Sequence, residues 1–428
     1  MIMNVQSSVL ENGVRVITSS IPRVESVTVG IWVAVGARHE SNRQAGISHF
    51  LEHLLFKGTR RRSAIDISRA IEGTGGYLNA FTQEESTCYY ARVVADQTWT
   101  ALDVLADMVL HPCLATGDIG KECGVILEEI AMYQDQPQHL VQDMLGRALW
   151  LDHPLGRPII GLAASLKQMN RAELCRFRQR MYRPNGTIVA LAGKVDHDDC
   201  VKAVRRLLGR IPRQRVQPFQ PVLRSTAREP VSLMAKDIEQ MQLAVGFRHF
   251  GRHDGRRYHL RILNAVLGEN MSSRLFQTVR EQHGLAYSIH SSFQLLADTG
   301  AWIVGAGLDR KRSRKALGLI FREIEKIRRQ TIPSDEFRRA RDYAIGQLKL
   351  SLESTTHHMM CLGEHLLSYG RFLSPEEAIR KIEAVTPADV QDLAAVLFRP
   401  ERCSVAMIGP GLTPADATWI QDVVNRLR

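Results

Sequence analysis

The chain predicts an α+β protein of two homologous α/β domains, each a mainly antiparallel sheet with helices packed on one face. Three observations carry this. Residues 169–193, "MNRAELCRFRQRMYRPNGTIVALAG", and 385–409, "VTPADVQDLAAVLFRPERCSVAMIG", align without a gap at an offset of 216. Tyr182-Arg183-Pro184 falls on Phe398-Arg399-Pro400, and Gly193 on Gly409. Each copy reads as a capped helix, a proline break and a β-branched strand ending in glycine. Two copies half a chain apart indicate duplicated domains, since solenoids repeat every 20–50 residues. Strand-like and helix-like segments also alternate in both halves, and the stretch 211–230 carries four prolines, as a linker does. The expected division is 1–212, a linker at 213–230, and 231–428.

The elements follow in order. "VTVGIWVAVG" (27–36) is an apolar strand. Residues 45–57 read as an amphipathic helix stopped by Gly58: Ile47, Phe50, Leu51, Leu54 and Leu55 fall on one arc at the spacing of a buried stripe. His49, Glu52 and His53 share the opposite arc. "SAIDISRAIEGTGG" (63–76) is a helix with a serine cap and a glycine stop. A hairpin spans 77–94, a helix about 96–110, and a further helix 118–137. In the second half, 241–250 is the matching strand and 258–270 the matching helix.

Composition is ordinary for a globular protein, 44% hydrophobic and 24% charged. No apolar run approaches the ~20 residues of a membrane span, so no membrane partner is expected. "MIMNVQSSVLENGVRV" lacks the basic and apolar regions of a secretory signal. The seven cysteines are scattered singly, which fits reduced thiols in a cytoplasm. The net charge of +11 includes basic runs at 59–63, 204–215 and 309–316. They are short and lack any recognition-helix or aromatic-interleaved pattern, so a basic binding module is the weaker alternative and no nucleic acid partner is expected.

His49-x-x-Glu52-His53 is where chemistry concentrates. Two histidines at i, i+4 bind one ion, and a neighbouring glutamate serves as a base. With 15 histidines and 45 acidic residues, roughly 0.06 chance matches are expected per chain. When His49 is laid on His259, Ile262 and Leu263 replace Glu52 and His53. The second copy keeps the helix without the trio, which favours function over fold. Glu122 and Glu129 are seven apart and share a helical face; Glu128 points elsewhere. By itself that pattern reads as a solvated acidic face.

Together these residues resemble the pitrilysin/insulin-degrading enzyme family of inverzincins, in particular the short two-domain branch that includes mitochondrial processing peptidase and its bacterial relatives. In that family a glutamate ligand follows the second histidine of the motif at a spacing that lands on Glu129, and a second acidic residue lands on Glu122. "GGYLNAFTQEESTCYY" (75–90) resembles the substrate-binding hairpin, with Asn79, Ala80 and Phe81 at its core. Arg280-x-x-x-Gly284-Leu285-x-Tyr287 resembles the Arg/Tyr pair of the second domain. The resemblance implies a zinc endopeptidase with one Zn²⁺ per chain on His49, His53 and Glu129. It implies Glu52 as general base, Glu122 as an outer partner of the ligands, and Arg280 and Tyr287 holding the oxyanion or the substrate backbone. It also implies unfolded peptides or leader segments as substrates, and a homodimer or a heterodimer with a homologous subunit. The rival within the family is a weakly active or non-catalytic subunit, a type that typically loses parts of the motif, and this chain keeps all of it.

Overall fold

The computed structural model describes residues 4–223 and 226–427. Arg224 and Ser225, within the expected linker, lie outside the described residues. Two compact units emerge. One comprises the chain up to Ala131 with Arg157–Gln220 and Ser351–Ser374; the other comprises Met132–Gly156, Pro221–Leu350 and the stretch from Pro375 onward.

The first unit holds a six-stranded sheet of β1 (Asn4–Val9), β2 (Arg15–Ser20), β3 (Ser26–Val33), β4 (Tyr77–Thr82), β5 (Thr87–Val94) and β6 (Thr187–Gly193), in the order β1-β2-β6-β3-β5-β4. The second holds β7 (Val231–Ala235), β8 (Met241–His249), β9 (Ala286–Leu295), β10 (Gly300–Leu308) and β11 (Cys403–Gly409), in the order β7-β11-β8-β10-β9. Both sheets are mainly antiparallel, with one parallel pair each, β2/β6 and β7/β11. The duplication is visible in the elements. The helix Arg171–Met181 and β6 reappear, at the offset of the sequence repeat, as the helix Pro387–Leu397 and β11. β6 and β11 sit at the same place in their sheets, flanked by one parallel and one antiparallel neighbour.

The central strands are apolar on both sides, and the packing shows why. On one face of the first sheet, Val27, Val29, Ile31 and Val33 of β3 pack with Phe50, Leu51 and Leu54 from the helix Ile47–Leu55. On the other face, Trp32, Ile188 and Ala190 pack against Met359, Leu362 and Leu366 of the helix Thr355–Tyr369. A sheet buried on both faces reads as a continuous apolar run rather than an alternation. The second sheet has the same construction. Its main helical layer includes Arg257–Leu267 and Ser313–Arg329, and the helix Pro137–Leu149 covers Ala244, Ala406 and Ile408 from the other side. Each sheet thus carries one covering helix drawn from the other half of the sequence.

The covering helix of the first sheet lies very close. A Cβ on Gly363 would stand 2.0 Å from Trp32 Nε1, and one on Gly30 would stand 2.2 Å from Met359 Sδ. Trp32 is 2% exposed and cannot swing aside. Gly363→Ala is therefore expected to destabilise by about 1–3 kcal/mol through overpacking, although alanine is the better helix former. Gly346→Ala, where the added methyl meets nothing within 4 Å, is expected to be neutral or stabilising. Urea midpoints of the two variants check this; equal midpoints would mean that the indole yields.

Candidate metal centre

The helix Ile47–Leu55 starts at Gly46, whose φ of +93° is left-handed and whose added Cβ would lie 2.6 Å from the Ile160 carbonyl oxygen. Only glycine accommodates both constraints. Glu40 then fixes the helix start: its carboxylate accepts the backbone N–H groups of Gly46 at 2.7 Å and Ser48 at 2.9 Å. A carboxylate at a helix N-terminus is the favourable orientation for the macrodipole. Burial nevertheless pushes the Glu40 carboxyl up to about 7, against the pull of those N–H groups.

A pH dependence follows from that shift. Between the ordinary value of 4.5 and about 7, the folded protein holds a proton at Glu40 that the unfolded chain has released. Stability from this group is fully present below 4.5, falls as pH rises through that window, and is level above it. The urea midpoint of the wild type relative to Glu40→Gln is expected to decline from pH 4.5 to 7. A difference independent of pH would show that Glu40 does not titrate there.

With its apolar face anchored, the helix presents His49, Glu52 and His53 on the other side, all part-exposed. The helix Thr116–Gln134 faces them. Glu129 Oε2 stands 3.9 Å from His49 Nε2 and 3.7 Å from His53 Nε2. The three donor atoms lie within 4.8 Å of one another, the one such grouping of metal-binding side chains among the described residues. Two donors each about 2 Å from one ion stand no more than about 4 Å apart, so both glutamate–histidine separations fit a shared ion. Two imidazoles and one carboxylate is also a donor set that zinc takes in catalytic sites. Burial and the neighbouring His53 press the His49 imidazole down to about 4, so its lone pair is free for a metal at neutral pH.

Behind these three side chains, Glu122 is 5% exposed. Its Oε2 accepts from His53 Nδ1 at 3.2 Å, and its Oε1 accepts from Lys57 Nζ at 2.7 Å. A proton held on Nδ1 leaves Nε2 as the free donor atom of His53. Glu128, one residue before Glu129, is exposed and takes no part.

Glu52 is not in the donor group. Its Oε2 accepts from Thr82 Oγ1 at 2.5 Å, tying it to the end of β4. Burial raises its carboxyl above the ordinary range, partly offset by the Thr82 hydroxyl and His53. A raised carboxyl is a stronger base once ionised.

β4 is an edge strand. Asn79 Oδ1 accepts the backbone N–H of Ala80 at 2.8 Å, so its side chain covers an edge donor that β5 does not use. Phe81 packs edge-on against Trp32, with ring centroids 5.4 Å apart.

Arg280 and Tyr287 lie in the second unit. The Arg280 guanidinium sits 4.8 Å over the Phe276 ring, and its Nε is 3.8 Å from Glu281 Oε1. Tyr287, at the start of edge strand β9, is 76% exposed. The structure therefore brings together His49, His53, Glu129, Glu122 and Glu52 with the Asn79–Phe81 strand, and keeps Arg280 and Tyr287 in the other unit.

Thr82, Lys57 and Glu40 were not singled out by the sequence. Lys57 stands four residues after His53, a helical neighbour, and was legible in principle. Thr82 ends β4 and Glu40 follows a short helical turn, and neither contact carries a periodic signal.

A family model described as insulinase (peptidase family M16) matches residues 15–162, and one described as the peptidase M16 inactive domain matches residues 168–343. An uncharacterized zinc protease of Mycobacterium tuberculosis is 43% identical over 404 residues, covering 94% of this chain and 92% of the relative. The uncharacterized zinc protease YmxG of Bacillus subtilis is 36% identical over 406 residues, covering 94% of this chain and 97% of the relative. Among solved structures, a protease from Helicobacter pylori superposes with a TM-score of 0.88 at 20% identity, over 96% of this chain and 100% of the other. A structure from Pseudomonas fluorescens described as a peptidase M16 inactive domain superposes equally well at 18% identity, over 96% and 99%. These two show a shared fold. With both halves matched by family models and relatives this similar across nearly the whole chain, the protein belongs to peptidase family M16.

Proposed function

We propose that this protein is a zinc-dependent endopeptidase that cleaves unfolded peptides or leader segments, with Glu52 as general base. The observation that carries the reading is the convergence of His49 Nε2 and His53 Nε2 on one Glu129 oxygen, beside Glu52 and an open strand edge. His49, His53 and Glu129 hold one zinc ion. When bound, zinc supplies a Lewis acid that polarises the scissile carbonyl and draws the pKa of water down toward about 7.

The chain's own residues do the rest. An extended peptide adds beside β4, its carbonyl taking the Ala80 N–H that Asn79 now covers, so the substrate backbone is held as an extra strand. Phe81 lines that edge. Glu52 takes the proton of the attacking water and passes it to the leaving amine. Thr82 keeps the Glu52 carboxylate directed, and Glu122 keeps His53 in its ligating tautomer. Arg280 and Tyr287 hold the tetrahedral oxyanion or the substrate backbone; the 76% exposure of Tyr287 leaves its phenol free to do so. The active assembly is a homodimer or a heterodimer with a homologous subunit, and the free cysteines suit a cytoplasmic setting.

Strand addition requires a substrate backbone with unpaired groups. Zinc-loaded protein is therefore expected to cut unfolded peptides of a few tens of residues and to spare a stably folded domain, with cutting abolished by a chelator and restored by zinc. Mass-spectrometric mapping of the products checks it. Zinc bound without cleavage of any peptide in a broad library would favour the non-catalytic subunit instead.

A further inference from the structure

The first unit contains a cavity of about 1170 Å³ that includes none of the residues of the metal centre. Its wall is formed by the helix Arg171–Met181 and the turn after it, the end of the helix Thr98–Leu110, and the end of the helix His197–Leu208. Five arginines line it: Arg176, Arg178, Arg180, Arg183 and Arg210; Glu173 is the one carboxylate in the lining.

Arg178 has a structural task, donating to the Val109 and Leu110 carbonyl oxygens at 2.9 and 3.3 Å. The other four contrast with those arginines of this chain that form ion pairs. Arg61, Arg62, Arg274 and Arg328 each reach an aspartate or glutamate. Among the described residues, no carboxylate lies within 4.0 Å of Arg176, Arg180, Arg183 or Arg210.

Basic residues in the last turn of a helix complement its dipole, which accounts for Arg178 and Arg180. It does not account for Arg176, one turn earlier, or for Arg210, which arrives from a different helix. Arg176 and Arg180 stand at i, i+4 on the helix, a like-charge pair that costs stability in the free protein, and Arg183 follows in the turn after it. Beneath them, Phe177 and Leu208 are each 1% exposed and give the cavity an apolar floor. Charges gathered in a concave site over an apolar wall focus their field and act on a ligand more strongly than on an open surface.

We propose that this cavity is a binding site for a small, multiply charged phosphate compound. Guanidinium groups match phosphate oxygens two at a time, and a polyanion supplies the negative partner that these four arginines lack; among the described residues, Arg183 Nε meets only the Arg180 carbonyl oxygen, at 2.7 Å. The concave shape favours a small molecule over an extended acidic segment. The site rests on the cavity alone and stands or falls independently of peptidase activity.

The test is calorimetric titration of the full chain with inorganic tripolyphosphate at low ionic strength. The triple variant Arg176→Gln, Arg180→Gln, Arg210→Gln alters exposed side chains and is expected to weaken binding about tenfold or more, given the strength of charge-assisted hydrogen bonds. Arg176→Gln alone, which removes the least structure, is expected to lose a smaller part of the same effect. A control that removes the same charge elsewhere, Arg310→Gln, Lys311→Gln, Arg312→Gln, is expected to bind as the wild type does. No binding by the wild type would overturn the proposal. So would undiminished binding by the triple variant, which would place the ligand on the metal centre. An equal loss in the control would mean diffuse attraction to the +11 chain, and preference for a hexaglutamate peptide over tripolyphosphate would mean a peptide groove; either result also overturns it.

Discussion

Glu52→Gln is expected to retain zinc at the wild-type stoichiometry while losing roughly 10²–10⁴-fold in turnover. Glu52 lies outside the donor group of His49, His53 and Glu129, so removing its charge leaves the ion's ligands intact. What the amide cannot do is accept the proton of the attacking water. The substitution is nearly isosteric, and an amide oxygen still accepts the Thr82 hydroxyl that now reaches Glu52 Oε2 at 2.5 Å. Folding should therefore be unaffected. Metal content measured beside single-turnover cleavage separates the outcomes. Cleavage at the parental rate by zinc-loaded Glu52→Gln would remove Glu52 from the mechanism, and loss of zinc would make it a ligand.

The second large effect is graded along one helix. Glu129→Gln and His53→Ala are expected to lose zinc on dialysis and to fall to background activity, because each deletes a donor from a three-residue set. Glu122→Gln should keep the ion but weaken its affinity about 10–100-fold, the usual cost of losing a hydrogen bond that orients a ligand. Glu128→Gln should behave as the wild type, since that side chain is exposed and outside the group. Equal loss from Glu128→Gln and Glu129→Gln, read as zinc per chain after dialysis, would undo the ligand assignment. Undiminished affinity in Glu122→Gln would reduce its contacts with His53 and Lys57 to a structural role.

The same helix shows how far a sequence carries by itself. Glu122 and Glu129 share a face because seven residues is nearly two turns, a local property of the backbone. That phase is legible without a partner in view. The apolar stripe of Ile47–Leu55 and the trio opposite it are legible for the same reason. So is the duplication, where two segments half a chain apart form the same helix and strand. What helical phase could not show is that the Glu129 face meets the His49 face. Acidic faces are usually solvated; here the family resemblance, and then the fold, gave this one a partner.

Other features rest entirely on contacts between distant segments. The helix Thr355–Tyr369 covers β2, β3 and β6, all of which belong to the opposite half of the chain, and the helix Pro137–Leu149 covers strands of the second unit. Nothing local distinguishes these helices from those that stay with their own half. Their destination is decided by shape, as where Gly363 and Gly30 let a helix settle onto Trp32 and β3. The Thr82 hydroxyl on Glu52 and the Glu40 carboxylate on the start of the motif helix likewise arise when separate segments meet. The arginine cavity takes several helix ends and a turn to close. The sequence alone determined the periodic faces, the repeat and the trio of the motif, because period and spacing are written residue by residue. The tertiary structure decided which faces meet, because burial and hydrogen-bond pairing depend on which distant surfaces are complementary.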